Sequence, residues 1–66
     1  MVDGGKIRRL REAEGLTIAE LATKLYVAYS MLAAIELGHR EPSVKLLSRL
    51  SGHFGCTMDE LIRREP

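Results

Sequence analysis

Thr17 to Gly38 runs T-I-A-E-L-A-T-K-L-Y-V-A-Y-S-M-L-A-A-I-E-L-G, and the fold turns on how this stretch is read. Thr17 and Glu20 have the T-x-x-E spacing of a capping box, in which each side chain satisfies a backbone donor of the first helical turn. The spacing predicts a helix from about Ile18 to Leu25, with Leu21, Ala22 and Leu25 as its buried stripe. A second helix follows from about Tyr29 to Leu37 and stops at Gly38. Met31, Leu32 and Ile35 share one side of it; Tyr29, Ser30, Ala33, Ala34 and Leu37 share the other. The link between the helices is a few residues long. A close crossing needs a small residue, which Ala22 supplies, and an apolar plug in the angle, which Val27 supplies.

Outward from this pair, the flanks are also helical. Ile7 and Leu10 set the period of a helix from about Gly5 to Glu14, and Gly15 stands at its C-terminal stop. After Pro42, Ser43 is an N-cap candidate for a helix carrying Leu46, Leu47, Leu50 and Phe54, closed by Gly55. Thr57 and Glu60 repeat the capping-box spacing and open a short fifth helix, about Met58 to Arg63, expected to bury Leu61 and Ile62. No alternating β-branched run interrupts this pattern. The expectation is an all-α, compact five-helix domain over residues 1–66 with the two-helix motif at about 17–38.

Composition bounds the function. Sixty-six residues allow one domain, and 45% apolar with 29% charged residues is a soluble globular balance. No run approaches the roughly 18 apolar residues of a membrane helix, and the first residues have no signal-peptide core. One cysteine, Cys56, makes no internal disulfide, and with only His39 and His53 it makes no zinc site. The expectation is a cytoplasmic chain with no cofactor, no metal and no membrane partner. No nucleophile–base pair or paired-carboxylate site is visible, so an enzyme is not expected. Ten basic against nine acidic residues leave a net charge of +1. Bulk charge therefore does not point to nucleic acid, and only local arrangement can.

That arrangement is a helix-turn-helix. With its flanks, the chain resembles the Xre family of Cro and phage-repressor-type DNA-binding domains. The resemblance rests on I-R-R-L-R-E-A-E-G-L-T-I-A-E-L-A from Ile7 to Ala22, on I-E-L-G-H-R-E-P-S from Ile35 to Ser43, and on L-L-S-R-L-S-G-H-F-G-C-T-M-D-E-L-I from Leu46 to Ile62. It covers about residues 5–62. It implies a DNA-binding transcriptional regulator, commonly a homodimer, whose second motif helix enters the major groove of double-stranded DNA.

Under that resemblance, Tyr29, Ser30, Ala33 and Ala34 are the base-facing positions. Arg40, His39, Lys45 and Lys6 are phosphate candidates. Arg11, which borders the Ile7 stripe, is implied to pair with Glu36 as a structural ion pair. Phe54, Leu61 and Ile62 are the apolar candidates for dimer contacts. The chain also departs from the family. Ile18 stands where a phosphate-binding Gln is usual, Tyr26 where a positive-φ Gly is usual, and Ala28 where a Ser or Thr N-cap is usual. None of the base-facing residues is a bidentate reader of guanine or adenine. These departures keep a second reading open: a protein-interaction module on the same fold, using an apolar surface of Tyr26, Tyr29, Ala33, Ala34 and Leu37, that has lost sequence-specific recognition.

Overall fold

A computed structural model describes residues 1–63. In it, α1 spans Gly4–Ala13, α2 Ile18–Leu25, α3 Tyr29–Glu36 and α4 Val44–Phe54, followed by a 3₁₀ turn at Asp59–Leu61. The fold is all-helical, with four helices and one turn rather than five helices. The reason lies at Ile62, whose backbone is extended (φ −102°, ψ 130°) and bridges antiparallel to Val2. A strand-like pairing there ends the helix that Thr57 and Glu60 open.

The helix ends follow from local chemistry. Thr17 Oγ1 accepts the Glu20 amide and Glu20 Oε1 accepts the Thr17 amide, so α2 has a complete capping box. Ser43 Oγ accepts the Leu46 amide at the start of α4. At the start of α1, the carboxylate of Asp3 accepts the Lys6 amide, a cap the periodicity does not reveal. At the end of α3, the His39 amide donates to the Ala34 carbonyl and the Gly38 amide to the Ile35 carbonyl, with Gly38 at φ +80°. This is the Schellman arrangement that a residue without Cβ adopts cheaply.

Among the described residues the largest wholly buried side chains are Ile7 from α1, Leu21 from α2, Leu32 and Ile35 from α3, Leu50 from α4 and Leu61 from the 3₁₀ turn. Every element therefore contributes to one core. The α2 and α3 axes turn by 115° at their junction, within the range of a helix-turn-helix. No single helix among the described residues is long and apolar enough to cross a membrane.

The N-terminal segment closes the structure. Val2 is buried, the Asp3 amide donates to the Leu61 carbonyl at 2.7 Å, and the Arg63 amide donates to the Met1 carbonyl at 2.8 Å. The Val2 amide donates to Glu41 Oε1 at 2.8 Å, which ties the loop after α3 to the same segment. Gly4 is buried against the end of α3, where a Cβ would run into the carbonyl oxygens of Ile35 and Glu36.

Candidate nucleic-acid interface

The outward side of α3 is positioned by what its inward side holds. Leu32 and Ile35 anchor the helix in the core. Glu36, at its last turn, receives Arg11 from α1: Nε donates to Oε2 at 2.7 Å and Nη2 to Oε1 at 3.0 Å. The third guanidinium nitrogen, Nη1, donates to the Leu16 carbonyl at 2.7 Å. One buried side chain thus joins α1, the α1–α2 loop and α3 through a bidentate pair. The hydrogen bonds that Arg11 donates to Glu36 raise the Arg11 pKa further, against the opposing effect of burial.

The N-terminal end of α3 has no such support. Ala28 occupies the N-cap with extended backbone and makes no side-chain cap. Two residues earlier, Tyr26 sits in the left-handed region at φ 58°, ψ 42°, the conformation glycine takes at positions 15, 38 and 55. Its amide donates to the Thr23 carbonyl and the Val27 amide to the Ala22 carbonyl. Arg49 of α4 adds a bond from Nη1 to the Leu25 carbonyl at 3.2 Å, closing the end of α2.

The base-facing candidates share the outward side of α3. Tyr29 and Ser30 are exposed, while Ala33 and Ala34 are half-buried. Large apolar side chains are exposed on and around α3: Tyr26, before it, is 87% exposed, Tyr29 57%, and Leu37, at its end, 68%. Between α1, α2 and α3 runs a surface groove of about 300 Å³, lined by Arg8, Ile18, Tyr29, Ala33 and Leu37, with Arg11 and Glu36 below. Ile18 and Arg8 are the residues that helical wheels miss here. The wheel of α2 places Ile18 beside Leu21 and Leu25, but α3 leaves it half-open at the groove.

The phosphate candidates separate. His39 and Arg40 lie exposed in the loop that follows α3, and Lys45 is exposed in the first turn of α4. Arg8 stands at the groove and pairs with Glu12 one turn on, at 3.3 Å. Lys6 is two residues from Arg8, about 200° around the helix. It lies within electrostatic reach of Glu60 on the 3₁₀ turn, away from the groove lining. The dimer candidates also separate. Leu61 is wholly inside the chain's own core and offers no surface to a partner. Phe54 is half-buried with its ring edge-on to His53 (centroids 4.9 Å apart, 80° between planes), and Ile62 is engaged in the bridge to Val2 while 37% exposed.

Comparison with known proteins bears on this geometry. A family model described as helix-turn-helix matches residues 7–61. The HTH-type transcriptional activator BcrR of Enterococcus faecalis is 35% identical over 60 residues, which is 91% of this chain and 29% of that protein. The HTH-type transcriptional regulator AnsR of Bacillus subtilis is also 35% identical over 60 residues, covering 91% and 52%. The uncharacterized HTH-type transcriptional regulator MJ0272 of Methanocaldococcus jannaschii is 34% identical over 56 residues, 85% of each chain. The chain thus spans less than two thirds of the length of the first two relatives. Among solved structures, that of SinR, a master regulator for biofilm formation in complex with DNA, matches with a TM-score of 0.80. The two share 32% identity over 88% of this chain and 94% of that one.

Proposed function

Because this chain belongs to the helix-turn-helix family, we propose that it binds double-stranded DNA and regulates transcription, with α3 in the major groove. The observation that carries this is the α2–α3 pair. Its 115° junction and buried anchors hold α3 in place, and the described residues leave Tyr29, Ser30 and Leu37 exposed on its outward side. The likeness to a DNA-complexed regulator at a TM-score of 0.80 supports the same placement. The function is one of binding, with no reaction assigned, in a cytoplasmic setting.

Affinity comes mainly from backbone contacts. Arg40 and Lys45 are the exposed cations nearest to the two ends of the loop after α3, with His39 beside them and Arg8 at the groove. Each neutralised phosphate steepens the salt dependence by roughly 0.9 in the log–log slope on B-DNA. Base selection is weak in hydrogen bonds, because Tyr29 and Ser30 are the only polar side chains on the outward side of α3. We further propose a homodimer, now resting on Phe54, Ile62 and the exposed Met58 without Leu61.

Titration with mixed-sequence and genomic-fragment duplexes at two salt concentrations tests the reading. Steep salt dependence is expected, with Arg40→Ala weakening all sequences about equally. Failure to bind any duplex at low salt would favour a protein-interaction role for the apolar surface around Tyr26, Tyr29 and Leu37. Sedimentation at high micromolar concentration tests the dimer.

A further inference from the structure

Tyr29, Ala33 and Leu37 follow one another at intervals of four residues and form a single stripe on α3. Together with Ile18 they give the groove apolar walls. The floor offers bases little. Arg11 and Glu36 are engaged with each other, Arg11 also with the Leu16 carbonyl, and their side chains are 10% and 4% exposed. No buried side-chain polar atom among the described residues lacks a partner. The remaining polar groups at the groove are the Tyr29 hydroxyl and the Arg8 guanidinium, the latter paired with Glu12. With α3 in the major groove, as proposed above, this surface faces base edges with almost no side chain free to read their donors and acceptors.

One feature of the major groove needs no hydrogen bond. Thymine presents a C5-methyl group there, which cytosine and the purines lack. We propose that α3 selects DNA by the C5-methyl groups of pyrimidines, thymine in unmodified DNA, seated against Ile18, Tyr29, Ala33 and Leu37. This deepens the DNA-binding reading and rests on it. The stripe from residue 29 to residue 37 is about 12 Å long at 1.5 Å per residue. With base pairs about 3.4 Å apart, it spans roughly three to four steps, enough for two or three methyl groups. Charge agrees with this occupant. The Arg8 guanidinium stands at the groove and Arg40 is exposed in the loop that follows Leu37, so fixed positive charge lies at the groove and in the adjoining loop for the phosphates that flank methyl-bearing base edges.

Deoxyuridine tests the proposal directly, because it keeps every hydrogen-bonding group of thymidine and lacks only the methyl. Binding is measured on one A·T-rich duplex made with thymidine or with deoxyuridine on both strands, at low salt. Each methyl group lost should weaken binding roughly fourfold, the transfer free energy of about one buried CH₂ group, so two or three give roughly 15- to 60-fold. A G·C-containing duplex should gain affinity when 5-methylcytosine replaces cytosine. Leu37→Ala, which shortens one wall, should narrow the thymine-to-uracil ratio, whereas Arg40→Ala should weaken both duplexes and keep the ratio. Equal affinity for the two duplexes would overturn methyl reading and leave DNA binding intact. A ratio that Leu37→Ala does not move would overturn the assignment to this groove. Absence of binding to either duplex would overturn the DNA-binding reading itself, and the proposal with it.

Discussion

The two helices of the motif have eight residues each and opposite endowments. α2 opens on a reciprocal capping box, while α3 opens on Ala28 with no side-chain cap and follows a tyrosine in left-handed backbone. The helix with the strong local signals is the scaffold. The helix with the weak ones faces outward and is held in place by others: by Leu32 and Ile35 in the core, by Arg11 on Glu36, and by the close approach of Gly4. Local capping and tertiary anchoring are thus alternative ways to fix a helix. The second leaves the outward side of α3 without a structural duty.

The largest test of that contrast removes the anchor. Glu36→Ala should destabilise the fold by about 3–5 kcal/mol, because it leaves a buried guanidinium without its counter-charge. That is a large part of what a domain of this size has. Denaturant unfolding followed by circular dichroism measures it; a loss below about 1 kcal/mol, the range of an exposed pair, would mean that water replaces the carboxylate. Next in size is Gly4→Ala. The added methyl meets two carbonyl oxygens at the end of α3, and overpacking of this kind typically costs about 1–3 kcal/mol.

Local repairs should be smaller and opposite in sign. Tyr26→Gly removes a side chain from left-handed backbone and should stabilise by roughly 1 kcal/mol. Ala28→Ser supplies the missing cap and should gain about the same. If both repairs fail to raise the denaturation midpoint, α3 is fixed by its anchors alone.

The smallest effect is acid sensitivity. Backbone and hydroxyl hydrogen bonds from Thr17 hold the Glu20 carboxyl below its ordinary 4.5, and those from Thr57 do the same for Glu60. The Lys6 amide, against some burial, holds Asp3 below its ordinary 3.8. Lowered folded-state values stabilise the fold above the ordinary carboxylate range, and this contribution fades as pH falls through them. Stability should therefore drop as pH falls below about 4.5, and Glu20→Gln should flatten part of that slope for α2 while leaving α3 unaffected.

The sequence makes visible the features that depend on near neighbours. Thr17 and Glu20, Ser43, and the stop at Gly38 each act over a turn or two, and the structure has them where the spacing predicts. Tyr26 and Ala28 are legible only as departures from the family that the chain resembles. The Arg11–Glu36 contact spans 25 residues and is implied by the resemblance rather than by spacing. Contacts between the two ends of the chain leave no local trace. Nothing around Thr57 and Glu60 announces that Ile62 will pair with Val2, so a fifth helix is expected where a 3₁₀ turn forms, and Leu61, though expected to be buried, is also offered as a dimer contact that the chain's own core leaves no room for. The groove is illegible in the same way, because it needs Arg8, Ile18 and Leu37 from three parts of the chain.

The pairing of residues 1–3 with 61–63 has a topological consequence. Met1 and Arg63 are hydrogen-bonded neighbours, so the described backbone is nearly a closed ring, and its opening between them is one of several places where it could be cut. A short linker from 63 to 1 would complete the ring, and a new opening in the exposed loop at 38–41 would present the same core from a different starting point. Such a permuted chain would keep α2 and α3 contiguous, but it would cut the loop that carries His39 and Arg40. Architecture and DNA affinity could then be lost or kept independently of each other.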